Sequence, residues 1–165
     1  MKHTLSILVQ NESGVLSAIS GLFSGRGYNI ESLTVATTLD PEFSRITIVT
    51  SGDDKVIEQI SKQLNRLINT IKVVEVSGEN SIDRELILVK VTAKDEDRSE
   101  ILRIAEIFDA KIVDVSPKTY TLQVVGDESQ IRSIIELLRP VGIKELVSSG
   151  KVAITKENQF MFNSK

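Results

Sequence analysis

The sequence predicts an α+β fold made of two tandem β-α-β-β-α-β units. Three observations predict it. Apolar residues alternate with period two in some segments and recur with a helical period in others, and these patterns come in the same order in both halves. Turn and cap residues stand at the switches between patterns. A short polar stretch, Gly78-Glu79-Asn80-Ser81, separates the halves of a chain of 165 residues, so each half is a small domain of about 80 residues.

In the first half, Leu5, Ile7 and Val9 alternate with polar residues, with Leu8 out of step, and predict a strand over 4–10. Val15, Leu16, Ile19, Leu22 and Phe23 recur at helical spacing. Asn11 and Ser13 are candidate N-caps for this helix, and Gly25 and Gly27 are its stop signals. Ile30, Leu33 and Val35 begin a second strand that ends at Asp40-Pro41. Phe43, Ile46 and Ile48 follow, so 30–38 and 43–51 read as a hairpin. Gly52-Asp53-Asp54 precedes a helix with Val56, Ile57, Ile60, Leu64, Leu67 and Ile68 on one face. Ile71, Val73, Val74 and Val76 make the fourth strand.

The second half repeats the order. Leu86, Leu88 and Val91 predict a strand, and Asp97-Arg98-Ser99-Glu100 has the form of a capping box before a helix carrying Ile101, Ala105 and Phe108. Ile112, Val113 and Val115 lead to a turn at Ser116-Pro117-Lys118, and Tyr120, Leu122 and Val124 return. Gly126-Asp127 starts a helix with Ile131, Ile134, Ile135 and Leu138, which Pro140 and Gly142 end. Ile143 to Val147 is the last strand, with Val152 to Ile154 as its extension, and the polar tail from Lys156 to Lys165 is expected to fray. The resulting domains are 1–77, a linker at 78–83, and 84–165. Each is expected to form a four-stranded antiparallel sheet under two helices, the ferredoxin-like arrangement, with its second and fourth strands at the edges. The second strand of the first unit carries Ser32, Thr34, Ala36 and Thr37, small and uncharged, and so guards its edge poorly against pairing with another chain. A homodimer follows as the expectation.

Composition excludes several classes of function. Net charge is −3; the first 80 residues carry 7 basic and 9 acidic side chains, and the remainder 13 and 14. Neither half is basic, which argues against nucleic acid and anionic membranes as partners. An RNA-binding sheet would need surface aromatics, and aromatics make up 4% of the chain. There is no Cys, so no thiolate nucleophile or thiolate metal site exists, which fits a reducing compartment; the expected location is the cytoplasm. No apolar run reaches the roughly 18 residues of a membrane span, and the first residues lead directly into a strand pattern, so no leader is expected. His3 is the one histidine, expected to be exposed at the chain start, and no metal site is expected. Asp53-Asp54 and Asp95-Glu96-Asp97 read as helix-start charges. Asp114 and Glu145 lack a partner for acid–base work, and no phosphate loop of the GxxxxGK type is present. An independent enzyme is therefore disfavoured.

Two segments point to a ligand. Asn11-Glu12-Ser13-Gly14-Val15-Leu16 opens a helix whose free N–H groups and partial positive charge suit a carboxylate, with Gly14 admitting a ligand to the backbone and Val15 and Leu16 beside it. The same residues also read simply as caps and a turn. The Asn29 amide at the start of the next strand offers an acceptor for an α-ammonium group, with Ile30 or Val35 as an aliphatic wall; Asn after Gly27 also suits turn geometry alone. Across a dimer built on the second strand, the helix start of one chain faces Asn29 of the other, which makes a pocket for a zwitterion.

Leu5-Ser6-Ile7-Leu8-Val9-Gln10-Asn11-Glu12-Ser13-Gly14-Val15-Leu16-Ser17 resembles the opening of an ACT domain, an amino-acid-sensing module. Gly21-Leu22-Phe23-Ser24-Gly25-Arg26-Gly27-Tyr28-Asn29-Ile30-Glu31-Ser32-Leu33-Thr34-Val35-Ala36 is more specific and resembles the regulatory small subunits of acetolactate (acetohydroxyacid) synthase. Ser44-Arg45-Ile46-Thr47-Ile48, Arg84 to Val91, Ile112-Val113-Asp114-Val115 and Ser148-Ser149-Gly150 agree, while 94–109, 126–142 and the tail agree least. The resemblance implies an ACT domain in the first half and a non-catalytic subunit. Such a subunit binds and activates a catalytic large subunit and confers feedback inhibition by a branched-chain amino acid, usually valine. It implies no cofactor in this chain; thiamine diphosphate, Mg and FAD belong to the catalytic partner. It also places the effector on Asn11, Gly14, Val15 and Leu16 of one protomer and Asn29 and Ile30 of the other. The alternative is a free-standing ACT-type sensor acting on a different enzyme or regulator.

Overall fold

The computed structural model describes residues 1–156; the tail beyond Lys156 lies outside them. The elements run β1 (Lys2–Gln10), α1 (Val15–Gly25), β2 (Ile30–Thr37), β3 (Phe43–Ser51), α2 (Asp54–Asn65), β4 (Thr70–Glu75), β5 (Ser81–Thr92), α3 (Arg98–Ile107), β6 (Lys111–Val115), β7 (Thr119–Gly126), α4 (Glu128–Leu138) and β8 (Ile143–Thr155). They form two four-stranded sheets, ordered β2-β3-β1-β4 and β6-β7-β5-β8. Each is the same β-α-β-β-α-β topology, with its first and third strands central. The compact units are Met1–Ile82 with 151–156, and Asp83–Gly150; the sequence-based boundaries instead put 151–156 in the second domain.

In the first unit the odd-numbered residues Leu5, Ile7 and Val9 of β1 meet Ile46 and Ile48 of β3 and the faces of α1 (Val15, Ile19, Phe23) and α2 (Ile57, Ile60, Leu64), all buried. Helical period three-and-four on one side and strand period two on the other thus close one aliphatic layer. The opposite sheet face is also buried and partly polar: Thr4, Ser6 and Thr47 lie on it beside Leu8 and Val49. There the backbone of residues 151–153 is tied down by side chains. The Lys151 N–H donates to Ser32 Oγ (3.2 Å), Thr34 Oγ1 donates to the Lys151 carbonyl (3.3 Å), and Arg45 donates to Ser6 Oγ (2.7 Å) and to the Ala153 carbonyl (3.2 Å). Burial lowers the Arg45 pKa from its ordinary value, and these acceptors satisfy the desolvated guanidinium. The second unit packs Ile87, Val89 and Val91 of β5, Leu122 and Val124 of β7, and Ile101, Ile104, Ile131, Ile134 and Leu138 of the helices into an equivalent core.

The two units end their first helices alike. After α1, Tyr28 N–H bonds Phe23 O (2.9 Å) and Gly27 N–H bonds Ser24 O (3.2 Å), with Gly27 at φ +70°; after α3, Ala110 N–H bonds Ala105 O (2.8 Å) and Asp109 N–H bonds Glu106 O (3.2 Å). Both are Schellman caps, which need a left-handed residue. The second unit has Asp109 there, at φ +51°. Asp109→Gly is expected to stabilise by about 0.5 kcal/mol, raising the thermal midpoint by roughly 2–4 °C. A lowered midpoint in a circular dichroism melt would show that the Asp109 side chain makes a compensating contact.

Three expectations need correction. His3 is buried, because β1 starts at Lys2 and pairs from its first residue; the ring shares the parity of Leu5, and its Nδ1 lies 2.5 Å from Glu75 Oε1. Neither Asn11 nor Ser13 caps α1: Gly14 occupies the N-cap position with no side-chain cap. Asp97 makes no capping bond for α3, and Glu100 forms a bidentate pair with Arg103 (2.7 and 3.0 Å) that lowers its carboxyl pKa. The sequence places Asp53 correctly as the cap of α2, and Gly126-Asp127 starts α4 with a full capping box through Gln130.

Candidate functional site

The start of α1 is set by Gly14, whose φ of +86° turns the chain from the β1 loop into the helix. A Cβ built on Gly14 meets nothing within 4 Å, so the backbone there is open to a ligand. The first N–H groups of a helix have no intrahelical partner and carry part of the macrodipole's positive end. Each of the other helices has a carboxylate at its cap or in its first turn. Asp53 caps α2, Asp127 caps α4, and Asp54, Glu100 and Glu128 sit in the first turns of α2, α3 and α4. α1 alone among the described helices has neither a side-chain cap nor an acid in its first turn.

The predicted residues take distinct roles around it. Asn11 is exposed, and its amide nitrogen donates to the Pro41 carbonyl (3.0 Å) while its backbone N–H donates to the Glu42 carbonyl (2.7 Å). It therefore holds the β2–β3 loop beside the helix start instead of capping the helix. Leu16 is 44% exposed and presents an apolar side chain next to the open N–H groups. Val15 departs from its expected role as an apolar contact: its side chain is buried in the core, so only its backbone reaches the helix start. Asn29 is exposed, with its backbone carbonyl accepting from Thr50 Oγ1 (2.7 Å) and no side-chain partner among the described residues. Ile30 packs against the core at the start of β2, and Val35 is 42% exposed.

One chain does not bring the two groups together. The register aligns Ile30 with Thr50 and Thr50 with His3, whereas the Asn11 end of β1 aligns with the far end of β2, through Thr37, Ser44 and Val9. Gly14 and Asn29 lie beyond opposite ends of α1, whose 11 residues span about 16 Å. The carboxylate and ammonium of an amino acid share one carbon and cannot reach both. β2 is the outer strand of its sheet. A second copy pairing antiparallel along that edge would bring the Ile30 end of one chain to the Thr37 end of the other, and with it Asn29 to the start of α1. The predicted helix between Gly14 and Gly27 already implies this separation; the strand register fixes which end of β2 each group lies beside.

Among the described residues no three His, Asp or Glu cluster to hold a metal, and no helix is long and apolar enough to cross a membrane. Glu145, without an evident partner in the sequence, pairs with Lys90 at 3.1 Å.

A family model described as "Small subunit of acetolactate synthase" matches residues 84–157, and one described as "AHAS small subunit-like ACT domain" matches residues 5–72. The "Probable acetolactate synthase small subunit" of Archaeoglobus fulgidus is 53% identical over 96% of this chain and 99% of its own. The "Acetolactate synthase small subunit" of Aquifex aeolicus is 52% identical over 94% of this chain and 82% of its own. The crystal structure of the acetolactate synthase small subunit from Thermotoga maritima superimposes with a TM-score of 0.87 at 39% identity, covering 96% of this chain and 99% of that one. The chain belongs to the acetolactate synthase small-subunit family, and its first unit is an ACT-like regulatory domain.

Proposed function

We propose that the chain is a non-catalytic regulatory subunit that binds and activates the thiamine-diphosphate-dependent catalytic subunit of acetolactate synthase in the cytoplasm, and makes it sensitive to valine. The observation that carries the effector site is the open start of α1: a helix end without cap or acid, beside an exposed Leu16. The valine carboxylate bonds the free N–H groups at Gly14, Val15 and Leu16. Its ammonium bonds the Asn29 amide of a second copy, beside Ile30, and its side chain rests on Leu16. Uncharged protein groups thus bind a zwitterion, each end of it meeting a complementary dipole.

Inhibition follows as a shift between two arrangements of the dimer, one favouring the active catalytic subunit. Valine bridges the two chains and moves the equilibrium by its difference in affinity for the two; a coupling of about 1–3 kcal/mol suffices. A ligand that binds the folded form raises its unfolding midpoint by mass action. Thermal unfolding of the purified chain is therefore expected to shift upward with valine or a close aliphatic relative and not with acidic or basic amino acids. Co-purification with the catalytic subunit, followed by valine titration of its activity, completes the test. A chain that neither shifts with any amino acid nor associates with the catalytic subunit would overturn the reading.

A further inference from the structure

The second unit repeats the corner that forms the effector end of the first, with its charge reversed. In the first unit, β1 runs out beside the β2–β3 loop and the start of β4: Gln10 N–H bonds Asn69 O (2.9 Å), Asn11 N–H bonds Glu42 O (2.7 Å), and a side chain, Asn11, bonds the Pro41 carbonyl. In the second unit, Thr92 N–H bonds Gly142 O (2.8 Å), Ala93 N–H bonds Lys118 O (2.8 Å), and a side chain, Arg98, bonds the Pro117 carbonyl (3.0 Å). The two backbone bonds match one for one, and the carbonyl of the proline before the strand is bonded in both units, in the second from Arg98, five residues past the position that matches Asn11. At the matched positions, Glu42 becomes Lys118, and Glu12, the residue after Asn11, becomes Lys94, the residue after Ala93.

This corner of the second unit holds a cavity of about 430 Å³, lined by Thr92, Lys94, Asp95, Lys118, Thr119 and Lys144 with Ala93 and Pro117 between them. The size suits a small ligand. Lysines from three separate segments converge on it, at the end of β5, in the β6–β7 turn and at the start of β8. None of the three has a carboxylate partner among the described residues. Asp95, the one acid in the lining, pairs with Arg98 at 3.0 Å. Arg98 thereby grips both rims, Asp95 on one side and Pro117 on the other, with its guanidinium carbon 6.0 Å from the centre of the Tyr120 ring. The result is a preformed concavity with three lysines free of salt-bridge partners among the described residues, in a chain of net charge −3.

We infer that this corner is a second ligand site, separate from the valine site, and that it takes a small multivalent oxyanion of the phosphate or diphosphate class. The donor set selects that chemistry. Lys ammonium groups are compact point charges that bind phosphate oxygens from several directions, and Thr92 adds a hydroxyl donor. No arginine lines the cavity, so the planar two-point recognition of a carboxylate is missing.

The test uses the full chain and pyrophosphate as the probe, with sodium chloride keeping ionic strength constant. Amide NMR shifts are expected to saturate and to concentrate at Thr92, Lys94, Lys118, Thr119 and Lys144, with inorganic phosphate competing at higher concentration. The triple variant Lys94→Gln, Lys118→Gln, Lys144→Gln alters exposed side chains and is expected to weaken pyrophosphate binding at least about tenfold, with valine binding unchanged. Shifts spread over other exposed lysines such as Lys55 and Lys62, an unaltered affinity in the triple variant, or no binding at all would each overturn the inference. None of these outcomes bears on the valine site, which the triple variant leaves intact.

Discussion

Gly14→Asp is expected to abolish the response to valine while leaving activation of the catalytic subunit in place. Space does not oppose the substitution, since a Cβ at this position meets nothing within 4 Å. Backbone conformation does, because φ is +86°; Asp is among the L-residues that tolerate positive φ best, and the cost is about 1 kcal/mol. The new carboxylate sits beside the uncapped N–H groups of α1 and the positive end of its dipole, so part of that cost is offset. The same carboxylate occupies the place proposed for the ligand's carboxylate and repels it. Affinity for valine is expected to fall at least about a hundredfold, close to 3 kcal/mol. Gly14→Ala separates the two effects: it carries the backbone cost without the charge and is expected to lose no more than about tenfold. Isothermal titration with valine, and inhibition of the reconstituted holoenzyme, read both. Normal valine sensitivity in Gly14→Asp would remove the start of α1 from the site.

The element order was legible because both periodicities are clean in this chain. Leu5, Ile7 and Val9 alternate, Ile57, Ile60 and Leu64 follow a helical period, and the glycines and aspartates between them mark turns whose chemistry is local. What escaped the sequence depends on partners far along the chain. His3 is buried because Thr50 and Glu75 come alongside it, and neither is near it in sequence. Residues 151–153 are claimed by Ser32, Thr34 and Arg45, more than a hundred residues away. Asn11 has the right chemistry for a cap, but the helix starts one residue past Gly14, which takes the N-cap position, and the Asn11 amide nitrogen instead donates to the Pro41 carbonyl, which reaches it only when the β2–β3 hairpin folds back. The candidate site divides along the same line. Its residue types were readable, because an open helix start and an unpartnered Asn have recognisable chemistry. Their separation along α1 was readable too, from the helical run between Gly14 and Gly27; which end of β2 each lies beside was not, since that follows from the direction in which β2 runs beside β3.

That separation leads to the second large effect. A mixture of Gly14→Asp chains and Asn29→Lys chains is expected to recover a valine response that neither variant has alone. Asn29→Lys mirrors Gly14→Asp: it sets an ammonium where the ligand's ammonium is proposed to bind. Asn29 is exposed, and its side chain has no partner among the described residues, so the fold is expected to tolerate the change. Each variant alone forms dimers in which both sites are broken once. In the proposed arrangement each site takes its helix start from one chain and its Asn29 from the other, so a mixed dimer concentrates both defects in one site and leaves the other wild type. Random pairing makes half of the dimers mixed, so roughly one quarter of wild-type site capacity returns. Refolding the two chains together and titrating with valine measures it. If each site were completed within one chain, every site in the mixture would still carry a defect and no capacity would return. With α1 spanning about 16 Å between its two ends, the geometry of a single chain offers no such site, and the recovered quarter is the outcome that an antiparallel pairing of β2 edges requires.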